Sequence, residues 1–194
     1  MTAPVFSPVD ATSRNRFPSV SPHFGLDECV EGATEHGIDV ISIPPGVWNR
    51  MVALATTILE PWRQEVGPLK VTRWYAPAAL NKAQGGVADS QHTLGEAIDV
   101  VPLMMDVRLA YEKLLRSNQA EYLDQVILYP RRGFIHVSHK SDRAEVRPNR
   151  LEHLFSPWSK SANVRRAGKR KYFDYEKWWS TFERLGEKDF GARF

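Results

Sequence analysis

Two short segments of this 194-residue chain constrain its fold and chemistry more than any other part. Residues 90–99 carry His92 and Asp99 on either side of a glycine, and Phe134–Ser138 carries His136. Two imidazoles and one carboxylate thus come from a glycine-containing loop and two strand-like runs. Three protein ligands of this kind leave a fourth coordination position open for water, which is typical of a catalytic zinc site. The pattern therefore predicts metal-assisted hydrolysis.

The strand pattern around these residues is compatible with a metal site. Alternate residues of a strand share a face, so the small Ala97 lies beside Asp99 and leaves room for an ion. Gly95 allows the backbone to turn before the strand. His139 falls on the opposite face from His136 and is not predicted as a ligand. From the spacing alone, polar groups hydrogen-bonded at strand ends explain the pattern equally well.

Length and composition limit the class of protein. A chain of 22.1 kDa with 42% apolar residues can bury one core but is too short for two. No apolar run approaches the roughly 18–20 residues of a membrane span, and we expect no membrane association. The amino terminus lacks the pattern of a secretory signal. The lone Cys29 excludes an internal disulfide, and nothing indicates an oxidising compartment.

The amino-terminal segment, residues 1–22, is predicted to be an extended arm. Four prolines are spaced through it and no apolar periodicity is present. Such an arm becomes ordered only when it is tied down. It either wraps around its own domain or lies along another chain, and the second alternative is favoured.

Residues 23–139 are predicted to form a compact α+β domain with a small antiparallel sheet and flanking helices. Apolar residues recur at three- and four-residue steps from Val47 to Trp62, which predicts a helix bent or ended near Pro61. Strands are expected at residues 69–75, 97–101, 125–129 and 134–138, with further short helices near residues 78–83 and 107–115.

Residues 140–194 are predicted to be a basic extension. This segment carries 14 basic and 8 acidic side chains, whereas residues 1–139 carry 12 and 15. The excess of basic residues peaks at residues 165–171. Its charge is compatible with binding to a nucleic acid, an acidic wall polymer or an acidic protein, and equally with a solvated loop that has no partner. Nucleic acid is disfavoured because aromatic residues are not interleaved. A terminal helix is predicted, with Trp178, Phe182 and Leu185 on one face. Such an apolar face either packs against its own domain or docks on a partner protein.

The order and spacing of the motifs resemble the zinc DD-peptidase family, and in particular its phage-type branch. The resemblance extends over about residues 23–139, and it rests on His23-Phe24, residues 59–63, residues 79–86, residues 90–99, Asp124-Gln125 and residues 136–138. The family includes bacterial D-Ala-D-Ala carboxypeptidases and phage endolysins, on the fold shared with hedgehog signalling domains.

The resemblance implies a zinc-dependent hydrolase of peptidoglycan stem peptides, with His92, Asp99 and His136 as the Zn²⁺ ligands. It also implies a phage-encoded protein, located in the virion or tail or in the host cytoplasm before release. The arm and the terminal helix would then contact protein neighbours in a larger assembly.

Two departures from the family pattern concern catalysis. The family usually has an arginine where this chain has Ala76. Arg73 lies three residues earlier, and on a regular strand a shift by an odd number of residues places the side chain on the opposite face. No carboxylate lies between Asp124 and His136, where relatives place a general base. Asp124, Arg73 and Tyr129 are therefore candidate catalytic residues, Tyr129 as an oxyanion donor.

The sequence leaves further candidates and a second class of function open. Arg132 is an alternative oxyanion donor, and Asp142, Glu145 and Glu152 are alternative carboxylates. A site with zinc but no base either retains slow hydrolysis or only binds. The alternative function is a structural virion or tail protein that retains the peptidase fold without its activity.

Overall fold

The computed structural model describes five segments of the chain: residues 19–30, 33–38, 43–141, 148–156 and 172–193. Most of the predicted arm lies outside the described residues, as do the basic run 165–171 and the candidate carboxylates Asp142 and Glu145.

The described segments contain six α-helices and six strands. The helices are α1 (Leu26–Cys29), α2 (Pro45–Leu54), α3 (Glu60–Val66), α4 (Ala78–Ala83), α5 (Val107–Arg116) and α6 (Tyr175–Arg193). The strands are β1 (Leu69–Arg73), β2 (Ala97–Pro102), β3 (Gln125–Tyr129), β4 (Phe134–Ser138), β5 (Glu152–Phe155) and β6 (Phe173–Asp174). Short 3₁₀ turns occur at Thr34–His36, Gln91–Leu94 and Ala120–Tyr122. No helix within these segments combines the length and apolar character needed to cross a membrane.

The strands form one six-stranded sheet in the order β1-β2-β4-β3-β5-β6. This mixed sheet with flanking helices confirms the predicted α+β class. One detail differs from the predicted antiparallel sheet, because β5 runs parallel to β3. Strand β4 runs antiparallel to β3, so the last residue of β4 lies beside the first residue of β3. Strand β5 begins at this same end of the sheet, beside the first residue of β3, and therefore runs parallel to β3.

The two faces of the sheet differ in chemistry because side chains alternate along each strand. One row of paired residues crosses all six strands on the buried face, and we call it the core row: Val71, Val100, Ile135, Leu128, Phe155 and Phe173. Each of these side chains is at most 2% exposed. The neighbouring row lies on the opposite face, and we call it the site row: Arg73, Asp99, His136, Ile127, Leu154 and Asp174.

Helices α2, α3, α5 and α6 contribute to the single large core that includes the core row. Met51, Leu54 and Trp62 are fully buried in it. The indole Nε1 of Trp62 donates to the carbonyl of Ala110 at 3.0 Å, which fixes α3 against α5. Each such buried side chain stabilises the fold by roughly 1.5–3 kcal/mol relative to exposure.

The predicted irregularity near Pro61 is present as a π-helical segment, Ala55–Leu59, between α2 and α3. The backbone N–H of Glu60 bonds to the carbonyl of Ala55, five residues earlier. Proline has no N–H to offer and its ring crowds the preceding turn, so a widened turn accommodates it without ending the helix.

The carboxy-terminal segment contributes to the same sheet and core. Strands β5 and β6 lie within the segment predicted as an extension, and Phe155 and Phe173 belong to the core row. On α6, Phe182 is 5% exposed, and Trp178 and Leu185 pack partly buried against the core. The predicted aromatic stripe therefore contacts its own domain. Helix α6 is interrupted at Gly186, where φ is 71°.

Gly95 is predicted to be more sensitive to substitution than Gly85, a second glycine with a positive φ. Its φ is 72°, and a Cβ there would lie 2.9 Å from the carbonyl oxygen of Val47. Gly85 has a similar φ of 75° with nothing within 4 Å of the same position. Gly85→Ala should cost about 1–3 kcal/mol from backbone strain alone, and Gly95→Ala about 2–6 kcal/mol because steric overlap is added. Urea unfolding measures both, and equal losses would contradict this assignment.

Candidate metal centre

The candidate ligands His136 and Asp99 are neighbours because strands β2 and β4 are paired. Asp99 is the direct cross-strand partner of His136, and both belong to the site row. Directly opposed residues on an antiparallel pair have Cβ atoms about 4.5–5.5 Å apart. The register of the sheet thus brings a carboxylate and an imidazole together from positions 37 residues apart.

His92 reaches the same place from the 3₁₀ turn Gln91–Leu94 that precedes β2. Its ring nitrogen Nδ1 lies 2.9 Å from the carbonyl oxygen of Trp74 and donates to it. The backbone carbonyl of His92 accepts from the N–H of Ala76 at 3.1 Å. These contacts fix the ring and direct Nε2 towards Asp99. A histidine that ligates a metal is commonly oriented in this way by its second nitrogen.

Three ligand atoms converge at the centre of the site. Nδ1 of His136 lies 2.8 Å and Nε2 of His92 lies 3.4 Å from Oδ1 of Asp99. All three atoms lie within 4.8 Å of one another. The side chains are only 6%, 14% and 13% exposed for His92, Asp99 and His136. Two imidazoles and one carboxylate suit zinc and leave a coordination position open, so the residues fit this ion.

The electrostatics of the cluster favour the protonation states that a metal requires. Burial opposes ionisation of Asp99, but the imidazoles of His92 and His136 outweigh it and hold its pKa well below the usual value. Burial lowers the pKa of His136, and the hydrogen bond to Asp99 only partly offsets this. An ionised carboxylate and a neutral imidazole are the forms that bind metal ions.

A cavity of about 690 Å³ opens over the cluster. This volume lies in the range of small-molecule and cofactor sites. Its basic lining residues are Arg73, Arg132, Lys140 and Arg150, and its aromatic ones are Tyr129, Phe134 and Tyr172. Asp89 and Asp99 are the carboxylates that line it within the described part of the chain. Asp89 is not predictable from the sequence, because nothing in a polar loop marks one carboxylate as facing a cavity.

Arg73 lies in the site row next to Asp99, although regular strand alternation places it on the other face. The register of β1 against β2 shifts between Val71 and Arg73, so Thr72 is an extra residue. An insertion of this kind turns the next side chain to the opposite face. Arg73 therefore lines the cavity with the metal cluster.

The guanidinium of Arg73 is held in place by Asn81 of α4. Its Nη2 donates to Oδ1 of Asn81 at 2.6 Å, and Nδ2 of Asn81 donates to the carbonyl of Val87 at 2.7 Å. A Cβ at Gly86 would lie 2.0 Å from this Oδ1, so only glycine leaves room for the pair. The buried Nε of Arg73 has no hydrogen-bond acceptor among the described residues.

Tyr129 is also brought to the cavity by the pairing of β3 with β4. Its ring stacks on Phe134 at 4.2 Å between centroids, and its hydroxyl donates to that of Tyr172 at 3.3 Å. Burial first, then the neighbouring Tyr172 and finally the charge of Asp99 raise the pKa of Tyr129 far above its usual value. Its hydroxyl thus stays protonated and acts as a hydrogen-bond donor.

The candidate Asp124 does not line the cavity, and it is fully buried among cations instead. It forms ion pairs with Lys140 and with Arg150, whose Nη2 lies 2.8 Å from Oδ2. Although burial opposes ionisation, these hydrogen bonds lower the pKa of Asp124 to about 2. A carboxylate so committed is a poor proton acceptor near neutral pH. Gln91, beside His92, also donates to Asp124 at 3.0 Å, so this buried cluster supports the ligand turn.

The remaining predicted groups have other roles. Glu152 accepts from Nε2 of Gln125 at 2.6 Å at the start of β5. His139 donates from Nδ1 to the carbonyl of Tyr122 at 2.7 Å and is not part of the cluster.

Comparison with known proteins gives a match to one protein family. A protein-family model described as Peptidase M15 matches residues 22–138, which include all three candidate ligands. The matched span agrees with the segment over which the sequence motifs show their resemblance. Among curated proteins none matches the chain.

Zinc content is predicted to depend on Asp99 and not on Asp89. Asp99→Ala removes the oxygen on which both imidazoles converge, so bound zinc after dialysis should fall from about one equivalent to background. Asp89→Ala, a matched loss of a cavity carboxylate, should retain it. Plasma emission spectrometry measures both, and wild-type zinc content in a folded Asp99→Ala protein would contradict the ligand assignment.

The buried ion cluster predicts a specific pH dependence. The pKa of Asp124 is lower in the folded state, about 2, than its value of about 3.9 in unfolded chains. Its ionisation therefore stabilises the fold fully above about pH 4, and this contribution is lost as pH falls towards 2. Asp124→Asn leaves Lys140 buried without its partner and should cost about 3–5 kcal/mol at neutral pH.

The free energies of unfolding of wild type and Asp124→Asn should therefore approach each other below pH 4. Urea titrations between pH 2 and 7 measure the difference, and a difference independent of pH would contradict the role of the cluster.

Proposed function

Because the chain belongs to the peptidase M15 family, we propose that it is a zinc-dependent hydrolase of peptidoglycan stem peptides. Family membership supports a peptidase that acts on cell-wall peptides, and hence a hydrolase. The observation that carries the zinc dependence is the convergence of His92, Asp99 and His136 in the lining of one cavity of about 690 Å³.

The three ligand side chains would hold the ion. Zinc in such a site polarises a carbonyl group and lowers the pKa of a water molecule to about 7. The carbonyl of Trp74 keeps the ring of His92 oriented, and Gln91 ties the same turn to Asp124.

Arg73 and Tyr129 are the groups proposed to stabilise negative charge on the substrate. Asn81 holds the guanidinium of Arg73 over the cavity, beside Asp99. Tyr129 lines the same cavity at the end of β3, and its hydroxyl stays protonated because its pKa is raised. Preorganised donors of this kind typically contribute about 10²–10³-fold to the rate. Arg73 would thus replace the arginine that the family usually has at the position of Ala76.

Asp89 is our candidate for the proton acceptor. It is exposed on the loop before His92, and apart from Asp99 it is the carboxylate that lines the cavity among the described residues. A positioned acid–base group typically contributes about 10²–10⁴-fold.

We propose further that the protein is phage-encoded and works as part of a virion or tail. The motif order of the phage-type branch supports this, as does the length of chain outside the family match, residues 1–21 and 139–194. Protein neighbours would contact the arm and the exposed charged face of α6, which carries Lys177, Glu183 and Arg184.

The second candidate function is a structural protein that retains the peptidase fold without activity. Two observations favour it: Ala76 stands in the position of the usual arginine, and the β3–β4 hairpin carries no carboxylate. The two functions differ in one measurable property, which is hydrolysis by the zinc-loaded protein.

Release of new amino termini from purified peptidoglycan tests the proposal. Zinc-loaded wild type should release them, and Asp99→Ala should not. Arg73→Lys should keep its zinc and lose about 10²–10³-fold in rate, while Arg116→Lys, a matched change on the exposed side of α5, should be unaffected. No release by folded, zinc-loaded wild type from several wall chemistries would contradict the enzyme and favour the structural protein.

A further inference from the structure

The β3–β4 hairpin places the guanidinium of Arg132 against two aromatic rings. The N–H groups of Arg132 and Gly133 both donate to the carbonyl of Tyr129, at 3.0 and 2.9 Å, and Gly133 has a φ of 72°. This tight turn places Cζ of Arg132 5.2 Å from the ring centroid of Tyr129 and 4.6 Å from that of Phe134. The two rings are stacked with an interplanar angle of 17°.

The cation–π contact leaves the hydrogen-bond donors of Arg132 available. A guanidinium that lies on aromatic rings uses its face for the cation–π contact and keeps its N–H donors in the plane, available to a ligand. No carboxylate of the described segments forms an ion pair with Arg132. The fork of donors matches a carboxylate with two parallel hydrogen bonds.

The other cations of the cavity are already engaged. Lys140 and Arg150 form ion pairs with Asp124, and Arg73 is held by Asn81 and lies beside Asp99. Arg132 therefore provides the hairpin side of the cavity with a cation that has no carboxylate partner among the described residues. An anionic group of a ligand that reaches the metal cluster would be drawn to it.

We propose that Arg132 binds a carboxylate of the substrate and selects anionic peptides over their amidated forms. This inference rests on the proposed peptidase function and adds the chemistry of the substrate. Two carboxylates of a wall peptide have the required chemistry: the free α-carboxylate of a γ-linked glutamyl residue and the carboxy terminus.

Three synthetic stem pentapeptides distinguish these sources: one with both carboxylates free, one with the glutamyl carboxylate amidated, and one with the terminus amidated. Affinity is measured with zinc-loaded full-length protein, as Kd by calorimetry or as KM where the peptide is cut. Arg132→Gln should weaken binding of the free peptide about tenfold, and it should abolish discrimination against one amidated peptide, which identifies the carboxylate.

The neighbouring Arg131 gives a matched control. It is exposed and equally charged, but its guanidinium lies over Phe182, 6.0 Å from the ring centroid, and it does not line the cavity. Arg131→Gln should leave discrimination unchanged, and Arg132→Lys should retain part of it because charge remains without the planar fork.

Different results would overturn the inference and the proposed function. Equal discrimination by wild type and Arg132→Gln, equal losses in Arg131→Gln and Arg132→Gln, or no binding of any peptide would overturn the role of Arg132. Cleavage without dependence on Arg132 would leave the peptidase standing. Discrimination that depends on Arg132 without any cleavage would support the binding site and contradict the peptidase.

Discussion

The pairing of strand β2 with β4 is the constraint on which the site depends. It places Asp99 directly opposite His136, and the core row on the other face fixes this register. A slip of one residue would move the buried valines and isoleucines to the cavity and the ligands into the core. Burial of the core row thus determines the position of the candidate ligands, and the stability of the fold and the geometry of the site have one origin.

The segment beyond the family match also contributes to the cavity. The match ends at residue 138, yet Lys140, Arg150 and Tyr172 line the same cavity as the ligands. Asp124 connects these parts, because it binds Lys140 and Arg150 and accepts from Gln91 in the ligand turn. Breaking a buried pair of this kind is costly, since it leaves an uncompensated charge. The carboxy-terminal segment therefore supports the site and also contributes the last two strands of the sheet, β5 and β6.

Local patterns in the sequence predicted the fold class, which the structure confirms, and singled out His92, Asp99 and His136 as candidate ligands, although spacing alone left hydrogen-bonded strand ends as an equal alternative. Strand alternation separates His136 from His139, and the glycine between His92 and Asp99 indicates the turn. Alternation failed for Arg73, because the extra residue in β1 is visible only in the register of the paired strands. It could not identify the partners of Asp124 either, since Lys140 and Arg150 lie 16 and 26 residues away in the chain. Both depend on tertiary contacts, which a pattern along one strand does not contain.

The zinc-edge X-ray absorption spectrum of the protein loaded with one equivalent of zinc reports the ligands of the ion itself. We expect a four-coordinate ion with two imidazole scatterers at about 2.0–2.1 Å and carboxylate oxygen. His136→Ala should lose one imidazole scatterer. A sulfur scatterer from Cys29, or a spectrum unchanged by His136→Ala, would place the ion elsewhere and contradict the metal centre.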